Sequence, residues 1–316
     1  MSVFLFKRLL TFLVTLLAAS VLTFAALELL PGDPALVILG IDASPDAVAA
    51  LSREMGFDQP AWIRYLHWIG GLMQGEFANS YTYKVPVWEL IRDRLIITVP
   101  LAVFAMVLTT IFAFVLGVYA AYRHNRLGDV LVMGFSQLGI AVPNFWLALL
   151  LIVLFAVKLG WFKSGGFPGW DAGFWVALKA LLLPAIALAT VQGAILARFT
   201  RSSLLEVMRE DFVRTARAKG LSRRAALWRH VLRNALIPVV TIMGLQFASL
   251  LAGTIVVENV FAIPGLGRLI FQSIGNRDIV VVRDVVLMLA ALVVAINFLV
   301  DLLYAVIDPR LKAHDI

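Results

Sequence analysis

The sequence contains no cysteine in 316 residues. That excludes a disulfide framework, a thiolate metal site and a cysteine nucleophile, and it leaves the redox compartment unread. Charge is also scarce, with 15% charged against 61% hydrophobic residues. Histidine occurs only at His67, His124, His230 and His314, with no pair four residues apart, so a helical zinc-protease site is missing. No G-x-x-x-x-G-K-[ST] stretch occurs, so the chain has no loop of that type to cradle nucleotide phosphates. No convergent nucleophile, base or metal set marks it as an enzyme. The formal charge of +7 could suggest nucleic acid, but the basic residues lie in short loops between apolar runs, where they act as topology signals.

What remains is hydrocarbon. Mean hydropathy is +0.92, and a bilayer core about 30 Å thick needs roughly 20 apolar residues per helix. Six runs meet that need: 9–30, 96–121, 130–157, 174–197, 236–260 and 285–307. The expected fold class is an all-α integral membrane protein with six transmembrane helices. Lys7 and Arg8 precede the first run, whose apolar core is long for a cleaved signal, so it reads as a retained helix. Placing them in the cytoplasm also puts there 122–129, the 198–233 loop and the tail 309–316, together about 16 of the 27 Lys and Arg. Both termini are then cytoplasmic, and residues 31–94 lie outside. That outer segment has about eight acids and five bases, lacking the cationic excess of an inner loop. Within it Ser44 can cap a short helix that has Pro45 at its first position and ends at Gly56.

Polar residues interrupt the spans. Pro143-Asn144 breaks the third, Pro184 the fourth and Pro238 the start of the fifth, while Gln137, Gln192, Gln246 and Asn297 sit within apolar runs. Such amides serve either as packing contacts between helices or as the lining of a water-filled pathway. Asp301 is more telling, because a carboxylate inside a span costs at least roughly 2.5 kcal/mol unless paired or hydrated. Glu28 and Glu258 fall near the outer ends of their spans, where interfacial placement explains them.

The most cationic stretch is RTARAKGLSRR, Arg214 to Arg224, inside the long cytoplasmic loop. At 100° per residue Leu204, Leu205, Met208, Phe212 and Ala216 form one apolar stripe, with Glu210 and Arg214 at a favourable i, i+4 spacing opposite it. Gly220 allows a sharp bend. Ser222 can cap a second helix, whose apolar side is Leu227, Trp228, Val231, Leu232 and Ala235. A helix, glycine, helix unit of this kind could lie on anionic lipid, enforce topology, or dock a soluble partner.

The stretch RTARAKGLSRRAALWRHVLRNALIP, Arg214 to Pro238, resembles the loop signature of the membrane permease subunits of binding-protein-dependent ABC importers, in the dipeptide, oligopeptide and nickel branch. FLFKRLL near the start, PGDPA, MGFDQP, VPNFW (Val142 to Trp146) and ENVFAIPGLGRL (Glu258 to Leu269) resemble the same branch in the same order, over essentially the whole chain. The broader importer signature has Glu-Ala-Ala where Arg214-Thr215-Ala216 stand, keeps the glycine at Gly220, and has a proline where Arg233 stands, with Pro238 five residues on.

The resemblance implies the type I permease fold and no catalytic residues. It implies that Ala216, Arg217, Ala218, Lys219, Gly220 and Leu221 contact a cytoplasmic ATPase, and that Pro264, Gly265, Leu266 and Gly267 help dock a substrate-binding protein. It assigns ATP and magnesium to two partner ATPase subunits, with no cofactor on this chain and no metal. It adds a second, different permease subunit and a peptide cargo, in a bacterial or archaeal inner membrane. Gln137, Asn144, Gln192, Gln246, Asn297 and Asp301 are the translocation-pathway candidates. The implied organisation is a helix at 1–30, an extracytoplasmic segment at 31–94, a five-helix core at 95–308 with its coupling loop at about 199–235, and a tail at 309–316. The same machinery carrying nickel or another small solute is the nearest alternative. An ion-gradient transporter would need an internal repeat and paired mid-membrane acids, and a membrane scaffold or embedded enzyme is the alternative of another class.

Overall fold

The computed structural model describes residues 2–29, 34–40 and 43–307. Residues 31–33 of the PGDP turn, the tail 309–316 and the side chain of Asp301 lie outside the described residues. The described chain is helical. Five helices are long and apolar enough to cross a membrane, and a sixth span arises if one bent pair is counted as a single crossing.

The chain divides into two compact units, one of 99–263 with the stretch from 296, the other of 2–98 with 264–295. The stretch 264–295 packs with the N-terminal third.

The second unit starts with α1 (Ser2–Glu28) and the short α2 (Pro34–Leu39). Helix α3 (Pro45–Glu54) begins as its sequence suggests: the Ser44 hydroxyl accepts a hydrogen bond from the Ala47 amide at 3.3 Å, and Pro45 occupies the first turn. It ends in a left-handed turn at Gly56 (φ 73°), with the Gly56 and Phe57 amides donating to the carbonyls of Arg53 and Ser52. Helix α4 (Ala61–Gln74) packs against α1, where Phe24 meets Tyr65 and Trp68 and the Ser20 and Tyr65 hydroxyls are 2.9 Å apart.

Helix α5 (Val87–Tyr122) starts nine residues before the apolar run at 96. Val87, Leu90 and Ile91 share one face and are buried against Leu266, Leu269 and Ile270 of α12 (Leu266–Gly275) and Val281 and Val285 of α13 (Ile279–Ile307). Tertiary burial thus extends the helix through Glu89, Arg92 and Asp93. Asp278 fastens this core: one carboxylate oxygen accepts from the Ser80 hydroxyl (2.5 Å) and the Thr82 amide (3.0 Å), the other from the Val281 amide (3.4 Å) at the start of α13.

In the first unit, the third apolar run is two helices, α6 (Leu127–Ala141) and α7 (Asn144–Leu151), the latter continuing as a π-helical stretch to Lys158. They bend by 101° at Val142-Pro143. Proline disfavours helical geometry in the residue before it, and Val142 is extended (φ −86°, ψ 122°). Helix α8 (Phe174–Val207) is the central element, packed against α6, α7 and α11 (Leu232–Val260). Its inner positions are mainly small, including Ala185, Ala189, Gly193 and Ala197, which lets neighbouring backbones approach closely. Glu258, near the end of α11, is fully buried rather than interfacial.

Candidate functional site: a glycine-closed loop on a helical platform

Helix α8 ends at Val207, residues 208–210 turn, and α9 (Asp211–Ala218) follows. The single stripe from Leu204 to Ala216 expected from periodicity is therefore broken. The reason is geometric: nine residues along one continuous helix would place Val213 about 180° from Leu204. With the break, both are buried in one cluster with Ala226, Leu227, Val231, Ala235 and Ala121. Val213 carries the inward face, while Phe212 is exposed. Arg214 pairs with Asp211 at 3.3 Å, and Glu210 serves instead as the residue before α9.

After α9 the chain reverses at Gly220, whose φ of +94° lies in the left-handed region. The Gly220 amide donates to the Arg217 carbonyl (3.0 Å) and the Leu221 amide to the Ala216 carbonyl (3.3 Å). This is the Schellman pattern, which satisfies carbonyls that the helix end would leave open. The Ser222 hydroxyl then accepts from the Ala225 amide at 3.2 Å and starts α10 (Arg223–Ala226). A π-helical stretch, Leu227–Val231, joins it to α11. Leu227, Val231 and Ala235 are buried as expected, but Trp228 faces outward. Arg217, Ala218, Lys219 and Gly220 are exposed, with Ala216 and Leu221 half-buried at the two ends of the turn.

The loop sits on a fixed platform. A Cβ at Gly117 of α5 would lie 2.7 Å from Thr200 Cβ on α8, so these helices touch backbone to backbone. The Ser203 hydroxyl donates to the Ala235 carbonyl at 2.8 Å, tying α8 to α11. Arg201, six residues before the end of α8, grips Asp129 at the start of α6 through Nε (2.6 Å) and Nη2 (2.7 Å). The same carboxylate accepts from the Asn125 amide at 3.0 Å, and His124 Nδ1 lies 3.2 Å from Arg201 Nη2. Bidentate pairing of this kind fixes angle as well as distance. The 122–129 connection and the end of α8, where the glycine-closed loop begins, are therefore held together. Sequence reasoning missed Asp129 and Arg201, and only an acid in a first helical turn hinted at the former.

The pathway candidates divide. Asn144, Gln192 and Gln246 lie on α7, α8 and α11, which pack on one another. Gln192 and Gln246 are buried, and the side-chain carbonyl oxygens of Asn144 and Gln192 are buried with no hydrogen-bond partner among the described residues. Gly253 on α11 makes room for Asn144, whose Nδ2 would lie 3.4 Å from a Cβ there. Gln137 is exposed on this chain, and Asn297 is half-buried on α13. Of the turn at 264–267 only Pro264 is exposed, since Gly265, Leu266 and Gly267 are buried and Leu266 belongs to the second unit's core. Among the described residues, no group of three or more His, Cys, Asp or Glu could hold a metal ion.

Comparison with known proteins gives a consistent result. Residues 113–313 match the model of the binding-protein-dependent transport system inner membrane component, and residues 1–102 match the N-terminal model of the same membrane component. A transport system permease protein of Brucella abortus (strain 2308) is 43% identical over 314 residues, covering 99% of both chains. The glutathione transport system permease protein GsiC of Salmonella typhimurium is 42% identical over 306 residues, covering 97% of each. The dipeptide transport system permease protein DppB of Alkalihalophilus pseudofirmus is 39% identical, covering 97% of this chain and 98% of its own. Among solved structures, the MetNI methionine ABC transporter shares the fold at a TM-score of 0.57 and 18% identity, over 70% of this chain and 97% of that one. The multi-span helical fold, the glycine-closed loop and these matches agree: the chain belongs to the binding-protein-dependent transport system inner membrane components and is a multi-pass permease subunit of an ABC importer.

Proposed function

We propose that this subunit imports short peptides, forming half of a pore whose other half is a second, different permease. The peptide reading is supported by relatives named for dipeptide and glutathione transport, which favour it over nickel. A permease subunit of this family is the non-catalytic membrane component, with ATP hydrolysis in a separate subunit. In this reading, Ala216 to Leu221 seat in a cytoplasmic ATPase that binds ATP and magnesium, and both termini of the permease face the cytoplasm. The carrying observation is the Schellman-closed turn at Gly220, which presents Arg217 to Gly220 on a loop joined to α5, α8 and α11 by buried contacts. Movement of a partner gripping that turn passes into the spans without being absorbed by slack, and packed helices respond by switching between discrete states.

Asn144, Gln192 and Gln246 line the pathway between those states, with Gln137 on α6 and Asn297 and Asp301 on α13 as further positions. A substrate-binding protein delivers peptide at the outer face formed by 31–94. Within the 264–267 turn, contact with it falls to Pro264, while the buried glycines and Leu266 hold the turn. The test is uptake of a radiolabelled dipeptide by cells carrying or lacking this chain. ATP-dependent uptake that disappears with the chain and returns on complementation is expected, whereas chain-dependent uptake of nickel but not peptide would overturn the cargo.

A further inference from the structure

The second unit carries an open cleft of about 610 Å³, within the size range of small-molecule sites. Its walls come from α1, α3, α4, the 78–81 turn and the start of α13. They combine the rings of Phe24, Phe57, Trp68 and Tyr81 with two guanidinium groups, those of Arg64 and Arg283.

The two arginines differ in how they are satisfied. Arg64 pairs with the Glu28 carboxylate, donates from Nε to the Gln59 carbonyl at 3.1 Å, and lies over the Phe57 ring. Arg283 is half-served. Its side chain is 16% exposed, and its nearest acid is its own neighbour Asp284, reached only through Nε at 3.4 Å. Adjacent residues on a helix point about 100° apart, and here a single nitrogen, Nε, reaches the carboxylate. The Asp284 oxygen involved already accepts from Trp68 Nε1 at 2.7 Å. The guanidinium lies 4.6 Å over the Trp68 ring, and its two terminal nitrogens have no partner among the described residues. Among the described residues neither terminal nitrogen is a buried atom without a partner, so a solute in the cleft can reach both, and the buried polar atom left unpartnered at this corner is Asp284 Oδ2. Tyr81 beside it is held above the ordinary phenol pKa by burial, so its hydroxyl stays neutral and able to donate.

We propose that this cleft is a binding site for a small amphipathic carboxylate, in which Arg283 receives the carboxylate through its terminal nitrogens and the aromatic wall takes the apolar body. Trp68 and Asp284 hold the guanidinium in place from behind. Choosing a peptide as the carboxylate rests on the function proposed above, whereas the carboxylate itself follows from the geometry.

The experiment is calorimetric titration of the full-length chain, in its purified complex in phosphatidylcholine nanodiscs, with Phe-Phe, with Phe-Phe-amide and with dihexanoylphosphatidylglycerol. Phe-Phe should bind at least about tenfold more tightly than its amide, the size of one charge-assisted contact. Arg283→Gln should erase that preference. Ser52→Trp, which fills the cleft from the surface of α3, should abolish binding of both peptides while leaving the helical content unchanged, so the site is tested even if the arginine variant fails to assemble. Equal binding of acid and amide would overturn the proposal. So would tighter binding of the phospholipid, undiminished binding in Ser52→Trp, or no binding of any probe, the last being the result expected if a protein side chain is the true occupant. Because neither ATPase nor uptake enters the measurement, a negative result beside ATP-driven uptake of the same peptide removes this site and leaves the transport function standing.

Discussion

Replacing Gly220 separates backbone geometry from surface shape. Its φ of +94° suits glycine, and a Cβ built there meets nothing within 4 Å, so substitution costs only conformational strain. For an ordinary L-residue the left-handed region costs about 1–2 kcal/mol, and a β-branched residue fares worst there. Asparagine, close to valine in volume, tolerates it. The closed turn is held by the amides of Gly220 and Leu221, each bond contributing about 1 kcal/mol net, so Gly220→Val should take most of that away. A loss of 1–2 kcal/mol lowers the ratio of closed to open turn by roughly 5- to 30-fold. Trypsin reports opening directly, because Arg217 and Lys219 are exposed beside the turn. Faster cleavage there and a several-fold drop in peptide-stimulated ATPase activity are expected for Gly220→Val, with Gly220→Asn within about twofold of the native protein. If the two variants behaved alike, whether both intact or both impaired to the same degree, turn geometry would not be what transmits the motion.

Asp129→Asn should destabilise the assembled permease by about 3 kcal/mol, because it leaves Arg201 facing a neutral amide in a mostly buried site; the thermal midpoint of the purified complex checks this. Asp278→Ala removes a helix cap and the bonds from Ser80 and Thr82, and should cost about 2–4 kcal/mol, read as protease sensitivity of the 75–86 segment. Gly117→Val pushes α5 from α8, since even a Cβ would sit 2.7 Å from Thr200; the expected result is lost assembly on size exclusion. Gln192→Leu should leave assembly intact and reduce peptide uptake if the residue faces the pathway, whereas unchanged uptake would make it a packing residue.

Features set by a few neighbouring residues were readable before any coordinates. Ser44 and Ser222 cap the helices that follow them, and Gly56 and Gly220 close the helices before them, because a cap needs only a hydroxyl and a turn only a permissive φ. Features set by distant burial were not. The interruption at 208–210 exists so that Val213 can join Leu204, and no periodicity within one helix shows that. The early start of α5 depends on α12 and α13, far along the chain. The pairing of Asp129 with Arg201 spans 72 residues, beyond any local pattern. Asp278 left a usable signal, an acid directly before Ile279-Val280-Val281-Val282, that cap reasoning could have taken up. The family resemblance implied a docking role for all of 264–267, yet the glycines and Leu266 of this turn are buried.

The central claim is that the turn around Gly220 is held by a separate ATPase. The chain has no cysteine of its own, so Lys219→Cys gives a unique, exposed attachment point for a photoactivatable crosslinker. In the intact complex, the adduct identified by mass spectrometry should join this position to the ATP-hydrolysing subunit, while Asp58→Cys, in the segment between the first two spans, should give no such adduct. Reaction of position 219 with lipid alone, or capture of the ATPase from position 58, would contradict the account.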